Sequence, residues 1–209
     1  MVLNNYSIEI YVGEKRSGKT LSMVYDTWND RKQDKNVKIF SNIKLNEKYF
    51  KDYNYISKHD LENFFKNKEE FKDSIFLIDE THIFLDSRRF AKEGNLKIGY
   101  FLGQMGKRNN VFRGTTHFPH LLDFRLRCYC ERWLYIRKGL VYNGTFMPVT
   151  NNNTKLNVNE NKKLFIQIKG VIRKLIDFEF YYVNEDIKYL KAALVFDMYD
   201  TEELLVDND

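Results

Sequence analysis

Apolar positions along the chain fall into short solid runs separated by polar turns. Ser7–Val12 reads as a buried strand, and Gly13–Gly18 as a glycine-bounded loop. In Lys19–Arg31 the residues Leu21, Val24 and Trp28 share one face, a spacing that predicts a helix. After a turn at Lys35 and Asn36, Val37–Phe40 is a strand ending at Ser41-Asn42, and Asn54–Ile56 is short and extended. Ser57 can cap a helix from Lys58 to about Lys66, with Asp60 and Glu62 in its first turn. Ser74–Ile78 is apolar throughout, as befits a central strand covered on both faces.

Further along, Leu96–Arg108 predicts a helix with Ile98, Phe101, Leu102 and Met105 inward. Val111–Thr115 is a strand, Phe118–Leu126 a loop with a short helix, and Cys128–Ile136 another strand. Gly139 to Lys163 is rich in Asn, Thr and Gly, and the triplet Asn151-Asn152-Asn153 reads as a disordered tip or a long surface loop. Leu164–Ile168, Val171–Ile176 and Phe178–Val183 read as antiparallel strands, and the tail from Asp197 as a peripheral helix or arm. The alternation of strands and helices predicts an α/β fold with a mostly parallel central sheet between helices, followed by C-terminal antiparallel strands. With 209 residues, one domain is expected, with a core at about 6–137 and a β extension at about 138–209.

Composition narrows the function classes. Apolar residues make up 43% of the chain, enough for a packed core. No run of about 18 apolar residues is present to span a membrane, and the N-terminus lacks the basic-then-apolar pattern of a secretory signal. These features suggest a protein that acts inside a cell. The two cysteines, Cys128 and Cys130, are expected on opposite faces of a strand as ordinary buried residues; two ligands do not make a zinc site. The net charge of +5 is unevenly spread: residues 88–138 carry 12 basic and 3 acidic side chains, whereas residues 177–209 carry 2 basic and 10 acidic. A positive middle suggests a polyanionic partner, nucleotide or nucleic acid; a solvated basic face is the plainer alternative.

The chemistry concentrates in two elements. Gly13-Glu14-Lys15-Arg16-Ser17-Gly18-Lys19-Thr20 matches G-x-x-x-x-G-K-[ST] at every fixed position, between a predicted strand and a predicted helix. Gly13 and Gly18 permit the turn that aims successive backbone N–H groups at one anion, and the helix start adds its positive dipole end. The run Gly13–Leu21 is therefore a nucleotide-binding candidate, with Lys19 reaching the terminal phosphates and Thr20 ligating Mg²⁺. The strand Ser74–Ile78 ends in Asp79-Glu80. Asp79 would face the Mg²⁺ shell opposite Thr20, and Glu80 would activate water as general base. The gap of about sixty residues between the elements suits a non-adjacent strand lying beside the first one. The Asp-Glu pair favours a hydrolase of the additional-strand P-loop type, and the lack of an N-K-x-D motif favours ATP over GTP.

After Glu80 the sequence carries Arg88-Arg89, a predicted helix ending Lys107-Arg108, a strand ending Thr115-Thr116-His117, and Asp123-x-Arg125-x-Arg127. With the two nucleotide elements, this order resembles the FtsK–HerA superfamily over roughly Ile8–Arg137. Within it, the chain is similar to small genome-packaging ATPases of turreted icosahedral archaeal viruses with internal membranes. It is similar also to the zonula-occludens-toxin-like assembly ATPases of filamentous phages. The resemblance implies a ring, hexameric in such families, that uses ATP and Mg²⁺ to drive double-stranded DNA into a preformed viral capsid at its portal vertex. The setting would be the cytoplasm of an infected cell, or the procapsid. It implies an arginine finger acting on the neighbouring subunit's site: Arg108 by position, with Arg88, Arg89, Arg125 and Arg127 as alternatives. The family's sensor glutamine is replaced by His117, which either senses the γ-phosphate or is structural. Lys92, Lys97, Lys107 and the stretch Lys155–Lys163 are candidate DNA contacts. The other readings are a phage extrusion motor, a P-loop kinase of small molecules, and a non-catalytic nucleotide-dependent binding module.

Overall fold

The computed structural model describes residues 7–57, 60, 71–86, 99–142, 145–148, 179–183, 187–191 and 195–200. Nine strands are defined among them: β1 (Ile8–Val12), β2 (Lys38–Ser41), β3 (Asn54–Tyr55), β4 (Ser74–Ile78), β5 (Val111–Thr116), β6 (Arg132–Tyr142), β7 (Thr145–Pro148), β8 (Glu179–Val183) and β9 (Ile187–Lys191). Two α-helices are α1 (Lys19–Gln33) and α2 (Phe124–Tyr129). The strands form one sheet in the order β3-β2-β4-β5-β1-β6-β8-β9, with β7 also paired to β6. The six strands from β3 to β6 are all parallel, and β7, β8 and β9 extend the sheet antiparallel from β6.

The parallel core follows from the apolar runs. Every residue of β1, β4 and β5 is buried, because α1 covers one face and later segments cover the other. Alternate residues divide between two clusters. Tyr11, Ile75, Leu77, Val111, Leu134 and Ile136 join Leu21 and Val24 of α1. Ile8, Ile10, Val12, Phe76, Ile78 and Phe112 join Leu102, Met105, Leu122 and Leu126. An aromatic group ties the second face together, with Phe76 stacked on Phe40 at 5.2 Å and edge-on to Phe101 at 5.2 Å.

Four expectations need correction. The strand of the Asp-Glu pair, β4, does not lie beside β1, because β5 is inserted between them. Cys128 is not on a strand: the Asp123 carboxylate accepts the Arg125 N–H at 2.8 Å as an N-cap, so a helix forms and runs on to Tyr129. Cys128 is exposed on that helix; Cys130 is half-buried at its end, and burial pushes its thiol up to about 12. The helix expected over Leu96–Arg108 is broken: residues 99–102 are helical, and after Gly103 the chain passes through turns to a 3-10 turn at Gly106–Arg108. Glycines at 103 and 106 weaken the helix, and Asn109 closes it in the left-handed region at φ 53°. Ser57 Oγ accepts the Asp60 N–H at 3.2 Å, the expected cap bond, but the rest of that helix lies outside the described residues. So do the strands expected at Leu164–Ile168 and Val171–Ile176. The tail segment 195–200 contains a 3-10 turn at Phe196–Met198 and a bridge from Tyr199 to Leu45.

One polar cluster crosses the first interior. Arg113 on β5, 1% exposed, donates Nε to Glu9 on β1 at 2.8 Å, Nη1 to Thr27 at 3.0 Å and Nη2 to Asp30 at 2.6 Å on α1. Arg132 on β6 reaches the other Glu9 oxygen at 3.1 Å. Three adjacent strands and the helix after the glycine loop are thereby fastened at the end of the sheet away from the loop. Breaking such a buried pair leaves an uncompensated charge at a cost of about 3–5 kcal/mol. Arg113→Met is therefore expected to lose about that much unfolding free energy in urea titrations, and a loss below about 1 kcal/mol would contradict the clamp.

Candidate functional site

Parallel strands place their C-terminal ends on one edge. There β1 delivers Gly13, β2 Asn42, β4 Asp79 and Glu80, and β5 His117. The loop Gly13–Gly18 turns from β1 into α1 under tight steric control. A side-chain carbon on Gly13 would come within 2.5 Å of the Ile136 carbonyl oxygen and 2.6 Å of Ser17 Oγ. Gly18, the N-cap of α1, has φ 100°, and Arg16 also takes a left-handed conformation at φ 61°. Ser17 Oγ is buried in the loop with no hydrogen-bond partner. An orphaned hydroxyl inside a loop that opens a 15-residue helix fits an anion seat.

Lys19 folds back over this loop, donating Nζ to the carbonyls of Gly13 at 3.1 Å and Glu14 at 2.9 Å. Nζ is also 3.3 Å from His117 Nδ1. Burial lowers the Lys19 pKa, opposed by the charges of Glu80 and Asp79. Thr20 Oγ1, one residue on, donates to Asp79 Oδ1 at 2.9 Å. The two elements recognised sixty residues apart are thus in direct contact.

Asp79 is held from all sides. Thr115 Oγ1 donates to the same Oδ1 at 2.6 Å. Asn42 grips the Asp79 backbone twice, accepting its N–H at 2.7 Å and donating to its carbonyl at 3.0 Å. Burial raises the Asp79 pKa; the Thr115 hydrogen bond opposes this, Glu80 adds to it, and Thr20 and Lys19 oppose it. Hard oxygen donors at Thr20 and Asp79, one carrying an under-compensated buried charge, fit Mg²⁺, which takes one or two such protein ligands besides phosphate and water.

Glu80 adopts the left-handed region at φ 49°, costing roughly 1–3 kcal/mol for a non-glycine residue. Its N–H donates to Thr115 Oγ1 at 2.9 Å, which holds that conformation in place. Its carboxylate is 3.4 Å from His117 Nε2 and 3.4 Å from His82 Nδ1.

Of the finger candidates among the described residues, none is brought to this edge by a contact with Asp79, Glu80 or Lys19. Arg108 sits before β5, where its carbonyl accepts the Asp73 N–H just ahead of β4. It is therefore at the opposite end of the strands from its own Glu80. Arg125 lies near the start of α2, 3.8 Å from Asp123, and Arg127 stacks over the Phe124 ring at 5.7 Å. Arg88 and Arg89 lie outside the described residues, as do Lys92, Lys97 and Lys155–Lys163; Lys107 is exposed in its 3-10 turn. The motifs do not foresee the contacts of Asn42 and Thr115 with Asp79, although Thr115 stands in the strand end Thr115-Thr116-His117. Their only signal is that each is polar at the C-terminal end of an apolar strand.

No protein-family description matches the chain, and no curated protein sequence does. Among solved structures, the chain is similar to the N-terminal domain of zonular occludens toxin from Neisseria meningitidis. The TM-score is 0.53 at 18% identity, covering 93% of this chain and 99% of that one. It is similar also to the genome packaging NTPase B204 from Sulfolobus turreted icosahedral virus 2, in complex with AMPPCP. There the TM-score is 0.50 at 17% identity, covering 90% of this chain and 98% of that one. The likeness establishes the fold, that of a P-loop NTPase with an additional strand between the phosphate-loop strand and the acidic strand.

The raised Asp79 pKa has a thermodynamic sign. The folded state holds the proton more tightly than the unfolded chain, so stability falls as pH rises from the unfolded carboxylate range through the folded pKa, then levels off. Asp79→Asn keeps an acceptor for Thr20 and Thr115 but removes the charge. In the absence of nucleotide and metal it is expected to melt higher than wild type at neutral pH, with the gap closing at acid pH. A lower Tm at neutral pH would contradict this account of Asp79.

Proposed function

We propose that this chain, which has the P-loop NTPase fold, is a ring-forming ATPase that drives double-stranded DNA into a preformed viral capsid. The observation that carries the reading is the joined set Lys19, Thr20, Asp79, Glu80 and His117 on one strand edge. Likeness to B204, named as a genome packaging NTPase, supports the packaging role.

In this reading the N–H groups of Gly13–Thr20 wrap the phosphates, and Lys19 exchanges the Gly13 and Glu14 carbonyls for phosphate oxygens. Thr20 and Asp79 would hold Mg²⁺, which would supply positive charge beside the phosphates. Glu80 accepts the proton of the attacking water. His117, already between Lys19 and Glu80, donates to the terminal phosphate and reports its presence to the base. Adenine nucleotide is the expected fuel. Apart from Arg16 in the phosphate loop itself, no arginine among the described residues contacts Asp79, Glu80 or Lys19, which supports a finger supplied by a neighbouring subunit. Arg108, at the far end of the strands, serves only in that manner; Arg125, Arg127, Arg88 and Arg89 are the alternatives. A hexameric ring at the capsid portal in the cytoplasm of an infected cell is the assembly this mechanism calls for. DNA binding through lysines and arginines would be independent of sequence and fall with salt.

A second reading, an extrusion motor for filamentous phage assembly, draws on the likeness to the zonular occludens toxin domain. Stimulation by single-stranded rather than double-stranded DNA would favour it. Transfer of phosphate to a small acceptor, with little hydrolysis, would instead favour a kinase.

Glu80→Gln is expected to lower ATP hydrolysis by about 10²–10⁴-fold while leaving nucleotide binding intact. Lys19→Ala should lose both, and normal hydrolysis by Lys19→Ala would sink the proposal. Mixing wild type with Arg108→Ala at varied ratios should give a nonlinear rate if Arg108 acts across subunits. A rate strictly proportional to the wild-type fraction would remove Arg108 from the mechanism.

A further inference from the structure

His82 has a place in the site that neither motif describes. Immediately after β4 the chain enters a 3-10 turn, Thr81–Ile83, with Glu80 as its left-handed cap. The Ile83 N–H donates to the Glu80 carbonyl at 2.8 Å, and Thr81 Oγ1 donates to the Ile78 carbonyl at 2.8 Å. The turn lies hard on β5 at Gly114, where any side-chain carbon would collide with the Thr81 hydroxyl. This folding returns His82 to the same side as the Glu80 carboxylate.

Each histidine stands beside a different oxygen of Glu80. His117 Nε2 is 3.4 Å from Glu80 Oε1, and His82 Nδ1 is 3.4 Å from Glu80 Oε2, with the rings 5.8 Å apart and tilted by 57°. His82 Nδ1 is buried and makes no hydrogen bond, its approach to Glu80 Oε2 being an ion-pair distance that leaves room to tighten. Tautomers follow from the partners. His117 Nδ1 lies 3.3 Å from the Lys19 ammonium, which only donates, and 3.4 Å from the Gly13 carbonyl, which only accepts; the shorter Lys19 contact favours the His117 proton on Nε2, toward Glu80. A carboxylate only accepts, so His82 presents Nδ1–H.

We propose that His82 is a positioning residue for the reaction: it holds the second oxygen of Glu80 so that the first faces His117 and the phosphate loop. The inference rests on the hydrolytic reading of Glu80 given above. Four groups face His82. Burial lowers its pKa, Glu80 raises it, His117 lowers it, Asp86 raises it and Lys19 lowers it, for a net lowering. At neutral pH the ring is thus an uncharged donor, which orients the base without discharging it. On acidification the imidazolium would hold Glu80 as an ion pair and weaken it as a base.

The test compares wild type, His82→Ala and His82→Asn, the last keeping an N–H near the Nδ1 position with no titration. His82→Ala is expected to lower kcat for ATP about ten- to a hundred-fold, with KM within about twofold, because His82 does not touch the phosphate loop. His82→Asn should recover most of kcat and move its acid-side fall to lower pH. Wild-type kcat and pH profile in His82→Ala would overturn the proposal, as would His82→Asn being as slow as His82→Ala. An NMR titration of the imidazoles supplies a reading independent of turnover: Glu80→Gln should lower the His82 pKa, and an unchanged His82 titration would also overturn it. If wild type hydrolyses no ATP, the hydrolase reading fails, and the NMR result alone decides whether Glu80 engages His82.

Discussion

A single buried carboxylate organises this edge of the molecule. Asp79 sits where burial opposes its charge, and three neighbouring side chains from two strand ends and a helix start converge on it: two hydroxyls on one oxygen and an asparagine on its backbone N–H and carbonyl. Each contact also fixes something else. Thr20 ties the phosphate loop to β4. Thr115 ties β5 to Asp79 and, through the Glu80 N–H, sets the strained backbone that aims the next carboxylate. The inserted strand β5 is what makes this possible, because Thr115 has to stand between the two nucleotide elements to reach both acids. Stability given up at Asp79 is of the kind that active sites routinely carry.

At the opposite end of the same strands, charge is handled in the reverse manner. Arg113 and Glu9 are buried and Asp30 half-buried, but they are closely paired, and they lock β1, β5 and α1 at the end away from the phosphate loop. A rigid far end and an under-compensated near end suit a sheet whose C-terminal edge has to respond to a ligand. The same pairing qualifies the charge distribution. Arg113 belongs to the basic middle of the sequence yet presents no charge to a partner, and Arg108 lies at the far end of the sheet. Charge counted along a chain therefore measures an interface poorly.

Much of the fold was legible because it rests on local patterns. The solid apolar runs at β1, β4 and β5 marked strands buried on both faces, and the glycine loop marked the start of α1. What failed depended on tertiary choices. Cys128 looked like strand because an apolar run followed, but the Asp123 cap tipped the balance toward helix. The helix from Leu96 had the right periodicity but contained glycines at 103 and 106. In the site, the motif residues were legible because their spacing encodes their contact. Asn42 and Thr115 were not, since a polar residue at a strand end reaches Asp79 only once strand order brings it there, and His82 was not, since it returns to Glu80 only through the left-handed turn between them.

The central claim is that Thr20 and Asp79 form a metal-dependent nucleotide seat. Calorimetric titration of ATP into wild type and Thr20→Val, each with and without Mg²⁺, tests it most directly. The account predicts that Mg²⁺ tightens binding to wild type and that Thr20→Val loses most of this gain while still binding free ATP. Equal affinity with and without Mg²⁺ in wild type, or an undiminished Mg²⁺ effect in Thr20→Val, would contradict it.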